Sequence, residues 1–147
     1  MILDISYRMS DNSRQLRRIF DERVRSLGLT AAQARMLLFL NRFPGEKQGF
    51  YAERLEVEPI TLTRLVDRME DAGWLERCAD PEDRRANLLQ LTEKSHDVVS
   101  GLRAIVEGLF EEVLDGLGST ERETLSSLLE TIGANLVRAR AQELIDG

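Results

Sequence analysis

The 147-residue chain reads as a mainly α protein carrying one small β-hairpin (α+β). Three observations predict this. Apolar residues recur at helical spacing over most of the chain, and only two short runs look like strands, Trp74–Cys78 and Asn87–Leu91. Those runs flank a charged turn, Asp80-Pro81-Glu82-Asp83-Arg84-Arg85. An amphipathic stretch from Pro59 to Ala72 stops at Gly73, just before the first run.

Composition sets the outer limits. A chain of this length makes one domain, or a core domain with helical extensions. Apolar residues at 42% and charged ones at 31% are ordinary for a water-soluble protein. No apolar run approaches the roughly 18 residues of a membrane span. The start, Met1-Ile2-Leu3-Asp4-Ile5, lacks the basic and long apolar regions of a signal peptide. With one cysteine there is no internal disulfide, and a cytoplasmic location is the default expectation.

In chain order, residues 10–27 form a helix candidate with Leu16, Ile19, Phe20, Val24 and Leu27 near the helical period, ended by Gly28. Thr30 and Gln33 match a capping box. The helix they open carries Met36, Leu37, Leu40 and Phe43 on one face and stops near Pro44-Gly45. A short helix from about Gly49 to Leu55 and the turn Glu56-Val57-Glu58 follow. Pro59 suits a first helical position, where its missing N–H costs nothing. After the hairpin, Thr92 is the expected N-cap of a long helix through about Asp115, broken by Gly116 and Gly118. Thr120-Glu121-Arg122-Glu123 is a second capping-box match, opening a last helix with Leu125, Leu128, Leu129, Ile132 and Leu136.

A helix followed at once by a hairpin tipped with two arginines is the outline of a winged helix-turn-helix, in which the helix enters the DNA major groove and the hairpin reaches an adjacent minor groove. Along Pro59–Ala72, Leu62, Leu65, Val66 and Met69 share one sector and must face a core. The opposite sector holds Ile60, Thr63, Arg64 and Asp67, with Thr61 and Arg68 at its edge. Arginine offers a planar fork to guanine, threonine a hydroxyl and a methyl, and isoleucine a contact for a thymine methyl. The bland alternative is a solvated face, with Arg64 paired to Asp67 or Arg68 to Asp71 at helical spacing. In the turn, Asp83 beside Arg84 and Arg85 is expected to hold a guanidinium in a fixed fork, aiming it at a narrow groove. The alternative there is a merely soluble turn.

Net charge opposes nucleic acid as a partner. It is -6, and Arg64–Arg85 holds five arginines against seven acids: Asp67, Glu70, Asp71, Glu76, Asp80, Glu82 and Asp83. Many DNA-binding domains are basic overall. Binding by this chain must rest on a few placed arginines, on helix N-termini and on the doubling of contacts in a dimer.

The end helices carry more apolar stripe than a small central unit covers. Either they close a monomeric core or they pack against a second chain, and the excess favours a dimer. Residues 1–29 and 116–147 are accordingly expected as a helical dimerisation region. Residues 30–115 are expected as the winged domain, with a long connecting helix over about 93–115.

Three segments together resemble the MarR family of bacterial transcriptional regulators, in particular its SlyA-like branch. They are Glu58-Pro59-Ile60-Thr61-Leu62-Thr63-Arg64-Leu65-Val66-Asp67-Arg68-Met69-Glu70-Asp71-Ala72-Gly73-Trp74-Leu75-Glu76-Arg77, then Asp80 to Arg85, then Leu91-Thr92-Glu93-Lys94. Weaker similarity covers Leu29 to Leu55. The resemblance implies a homodimer that binds a pseudo-palindromic operator on double-stranded DNA, usually as a repressor. By position it makes Ile60, Thr61, Thr63, Arg64 and Arg68 major-groove residues. It makes Asp83, Arg84 and Arg85 wing residues, with Arg85 as the minor-groove finger. Backbone donors at the helix opened by Thr30, with Gln33 nearby, would meet phosphate. It also implies a small aromatic or phenolic effector that releases the DNA.

No cofactor or metal is expected. Arg14, Arg17 and Arg18 offer charge for an anion, but three helical arginines are more often solvated. Cys78 reads as a small packing residue, and His96 is the only histidine. No phosphate loop, nucleophile elbow or His–acid pair supports an enzyme. The remaining rival is an acidic, dimeric winged-helix interaction module that does not bind DNA.

Overall fold

In the computed structural model, which describes residues 1–147, the first helix, α1, runs Ile2–Arg23. The expected start at residue 10 is therefore too late. Met1 makes no side-chain cap bond and α1 buries none of its residues, so neither a cap nor a core stripe marks its beginning in the sequence. A 3-10 turn, Val24–Leu27, extends it to Gly28, whose left-handed backbone (φ 72°) reverses the chain.

Helix α2, Ala31–Arg42, opens with the expected box. Gln33 N–H donates to Thr30 Oγ1 (3.2 Å), and Thr30 N–H donates to Gln33 Oε1 (3.1 Å). Next comes an element with no sequence signal, the two-residue strand β1, Glu46–Lys47. It pairs antiparallel with the later strand β3, so the sheet has three strands rather than two, in the order β1-β3-β2. Two charged residues carry no strand propensity, and only this pairing makes them a strand.

Helix α3, Gln48–Leu55, and helix α4, Pro59–Asp71, follow, with Pro59 in the first turn as expected. Strand β2 is Leu75–Ala79, one residue later than read, and β3 is Asn87–Leu91. Their register pairs Leu75 with Leu91 and Ala79 with Asn87. Thr92 does not cap the next helix through its side chain. Its hydroxyl donates to the Gly73 carbonyl, while Lys94 Nζ donates to Ala72 O at 2.7 Å. Both bonds tie down the end of α4, where Gly73 is left-handed (φ 81°). A 3-10 turn, Glu93–Ser95, leads into helix α5, His96–Val113, which ends two residues short of the expected Asp115.

Two units divide the chain, Met1–Leu109 and Phe110–Gly147. The first holds one continuous core. Leu37 and Leu40 of α2, Tyr51 of α3, Leu62, Val66 and Met69 of α4, Leu75 and Leu89 of the sheet and Leu102 of α5 are almost wholly buried. α4 thus presents one face inward, as its spacing requires. The second unit contains the end of α5, a short connection and helix α6, Ser119–Asp146. Arg122 Nε and Nη2 bind the carbonyls of Leu117 and Leu114 in that connection. The expected box at Thr120 and Glu123 is misplaced. Gly118 is the N-cap and Glu121 accepts its N–H at 2.8 Å, and a glycine has no side chain to complete the reciprocal bond. No helix is long and apolar enough to cross a membrane.

Candidate nucleic-acid interface

α4 buries Leu62, Val66 and Met69 and leaves Ile60, Thr61, Thr63, Arg64, Asp67 and Arg68 exposed. Ile60 is 65% exposed at the N-terminal end of the helix, where an apolar side chain gains nothing from water. Glu58, the N-cap, makes no side-chain cap bond, so it leaves the first-turn amides uncapped. Thr63 departs from expectation in one respect. Its hydroxyl donates to Pro59 O (3.0 Å) and accepts from Gln48 Nε2 (3.3 Å), so that group is already engaged within the fold.

The pairs Arg64–Asp67 and Arg68–Asp71 do not form. Asp67 instead accepts from Arg77 Nη2 at 2.6 Å, and Glu70 accepts from Arg77 Nη1 at 2.7 Å. Glu70 also accepts the Arg77 backbone N–H (3.2 Å), and Arg77 Nε donates to Gln48 Oε1 (3.3 Å). One guanidinium therefore joins β2 to α4 and to α3. Burial acts to lower the Arg77 pKa, but the bonds from Asp67 and Glu70 outweigh it and the net shift is upward. Sequence reading missed Arg77. The available signal was its position two residues after buried Leu75, on the same strand face, opposite acids one helical turn apart.

In the wing, Asp80 Oδ1 accepts from Glu82 N–H (2.9 Å) and Asp83 Oδ1 accepts from Arg85 N–H (3.0 Å). Asp83 thus shapes the turn through backbone and does not fork a neighbouring guanidinium as expected. Its other oxygen lies 3.8 Å from Lys47 Nζ, which is also 3.8 Å from Asp80 Oδ2. Arg84 and Arg85 are exposed and make no ion pair.

These pairings answer the charge count. Four of the seven acids between Arg64 and Arg85 have a cation partner in Arg77 or Lys47. Arg64, Arg68, Arg84 and Arg85 have none and are open to an anionic partner.

Thr30 and Gln33 lie with Thr61, Arg64 and Arg68 along one cleft of about 290 Å3 between α2 and α4. The capping box occupies the Thr30 hydroxyl and the Gln33 amide oxygen. The Gln33 amide nitrogen and the free amides of the first turn remain as donors. On α1 the three arginines each have an acid: Arg14 with Asp11 (2.6 Å), Arg17 with Glu56 (3.4 Å) and Arg18 with Glu22 (3.4 Å). Cys78 is partly buried and pairs with Leu88 across the sheet. No group of His, Cys, Asp and Glu side chains converges as metal ligands do.

A buried helix face, an exposed polar helix face and an arginine hairpin fastened beside it define a winged helix-turn-helix protein. The MarR family profile matches residues 27–86. The transcriptional regulator PA3341 is 33% identical over 91% of this chain and 98% of its own, with a TM-score of 0.79. The transcriptional regulator SlyA is 25% identical over 92% and 96%, with a TM-score of 0.75. A variant of MarR from E. coli, crystallised with operator DNA, is 26% identical over 89% and 94%, with a TM-score of 0.69. The chain belongs to the MarR family, whose members are winged-helix transcription regulators.

Proposed function

We propose that this regulator acts as a homodimer on a pseudo-palindromic operator, repressing transcription until a small aromatic or phenolic ligand releases it. The observation that carries the DNA-binding part is the sorting of charge on one surface. Arg64, Arg68, Arg84 and Arg85 stand free, while four of the seven acids in the same stretch, Asp67, Glu70, Asp80 and Asp83, are paired. Ile60, Thr61, Thr63, Arg64 and Arg68 are the major-groove set, and Arg85, next to Arg84, is the minor-groove finger. The amides opened by Thr30, with Gln33, meet phosphate. That a MarR variant from E. coli, 26% identical to this chain, was crystallised with operator DNA supports the DNA-binding part of the reading.

Support for the dimer comes from the end helices. α1 and α6 each bury no residue, and they expose Ile2, Leu3 and Tyr7, and Leu136, Val137 and Leu144, respectively. Each of these apolar faces calls for a covering surface, and the end helices of a second copy, within residues 1–29 and 116–147, supply one. A groove of about 380 Å3, walled by Leu38, Phe39, Phe43 and Val106 with Arg42, Arg103 and Glu107 at its polar edge, suits a small aromatic or phenolic ligand. A cytoplasmic location follows from work on DNA.

Selection of bound sequences from a random duplex pool tests the reading. Enrichment of an inverted repeat, with affinity falling steeply as salt rises, is the expected result. Recovery of no enriched repeat at low salt overturns it and favours a protein-interaction module.

A further inference from the structure

Strand β1 has no propensity reason to exist, yet it is held from three sides. Tyr51, wholly buried, donates its hydroxyl to Phe43 O (2.5 Å) and accepts from Glu46 N–H (3.1 Å). Gly45 N–H donates to Leu89 O (3.0 Å), and Lys47 stands opposite Leu88 in the ladder. Lys47 is also the residue from which α3 starts. The core thus fixes the backbone of one lysine at the base of the wing.

That lysine reaches the two carboxylates that shape the wing turn. Asp80, whose side chain is only 10% exposed, and Asp83 each bind a turn amide with one oxygen and face Lys47 Nζ with the other. The turn holds three acids against two arginines, and Lys47 brings it to balance. We infer that Lys47 is a positioning residue for the wing: by bridging Asp80 and Asp83 it holds the turn in the shape that projects Arg84 and Arg85 before DNA arrives. The inference rests on the DNA-binding reading above. Ion pairs this long, made by a half-exposed lysine, are individually weak. The effect lies in restricting a loop whose freedom is otherwise lost on binding.

The test is a double-mutant cycle on the full chain, using the duplex recovered from the random pool. Lys47→Met keeps the aliphatic stem and removes the charge. It is expected to weaken binding several-fold in the wild-type background and not at all when Arg84 and Arg85 are both alanine, while Lys47→Arg restores binding. An equal loss in both backgrounds makes Lys47 a direct phosphate contact and overturns the inference. A DNA-free readout separates this from failure of the functional reading. Hydrogen exchange of the Glu82 and Arg85 amides should accelerate in Lys47→Met and in Asp83→Asn, with core amides unchanged. Unchanged exchange at those two amides overturns the inference whether or not the protein binds any duplex. Accelerated exchange in a protein that binds no duplex upholds the clamp and rejects only the DNA reading.

Discussion

Arg77 Nη2 lies 2.6 Å from Asp67 Oδ1, which fastens the first strand of the wing to the exposed face of α4. The same guanidinium holds Glu70 and Gln48, so three elements share one planar fork. Arg77 is only 20% exposed, and removing it strands two carboxylates that otherwise have a partner. Both acids retain water contact, which lowers the penalty. Arg77→Met should therefore destabilise the fold by about 1–3 kcal/mol, toward the lower end, seen as a lower urea midpoint with unchanged slope. Arg77→Lys should not rescue it, because a single ammonium nitrogen cannot take the place of three separate guanidinium nitrogens, each bonded to a different side chain. A midpoint equal to wild type would show that the network adds no stability.

Arg64 makes no ion pair in the free protein, so its replacement breaks nothing inside the fold. Arg64→Ala should leave the melting temperature unchanged, cost about 1–3 kcal/mol of operator affinity and relax discrimination at one base position. Binding isotherms on the operator and its single-base variants check this. An equal loss on every sequence reassigns Arg64 to phosphate.

Arg85 is oriented by its backbone, through the N–H bond to Asp83, and its guanidinium is left free. A free arginine in a narrow, A·T-rich minor groove gains from the enhanced negative potential there. Arg85→Ala should weaken binding chiefly on operators with A·T-rich flanks and much less on G·C-rich ones. Equal affinity for both flank types in wild type and variant removes the minor-groove role.

The parts of this interface legible in the sequence are those governed by local rules. The face of α4 followed from periodicity, the Thr30–Gln33 box from side-chain chemistry, and the place of the hairpin turn from Asp80-Pro81. The parts that were not legible depend on partners distant in the chain. β1 is a strand only because β3 lies beside it, and Asp67 meets Arg77 rather than Arg64 because β2 packs on α4. Asp83 illustrates both. Its short side chain captured a backbone amide two residues on, a common habit of aspartate in turns. Its pairing with Lys47 required a strand that nothing in the sequence announced.

Tyr51 gives a prediction that depends on pH. Its buried hydroxyl joins Phe43 O to Glu46 N–H, and Tyr51→Phe should cost about 1–2 kcal/mol at neutral pH by leaving both groups without that partner. Burial is the largest influence on the phenol and pushes its pKa above the ordinary value of 10.0. Above about pH 10 the unfolded chain releases this proton while the folded chain keeps it, so the native state binds more protons. Stability then falls with rising pH, starting at the ordinary tyrosine pKa and continuing until the folded phenol ionises. The phenylalanine variant lacks this proton, so the stability gap between wild type and Tyr51→Phe should be constant below about pH 9 and narrow above about pH 10. Urea titrations of both proteins across that range measure the gap directly. A gap that stays constant through the alkaline range would mean that the hydroxyl ionises as easily in the core as in water.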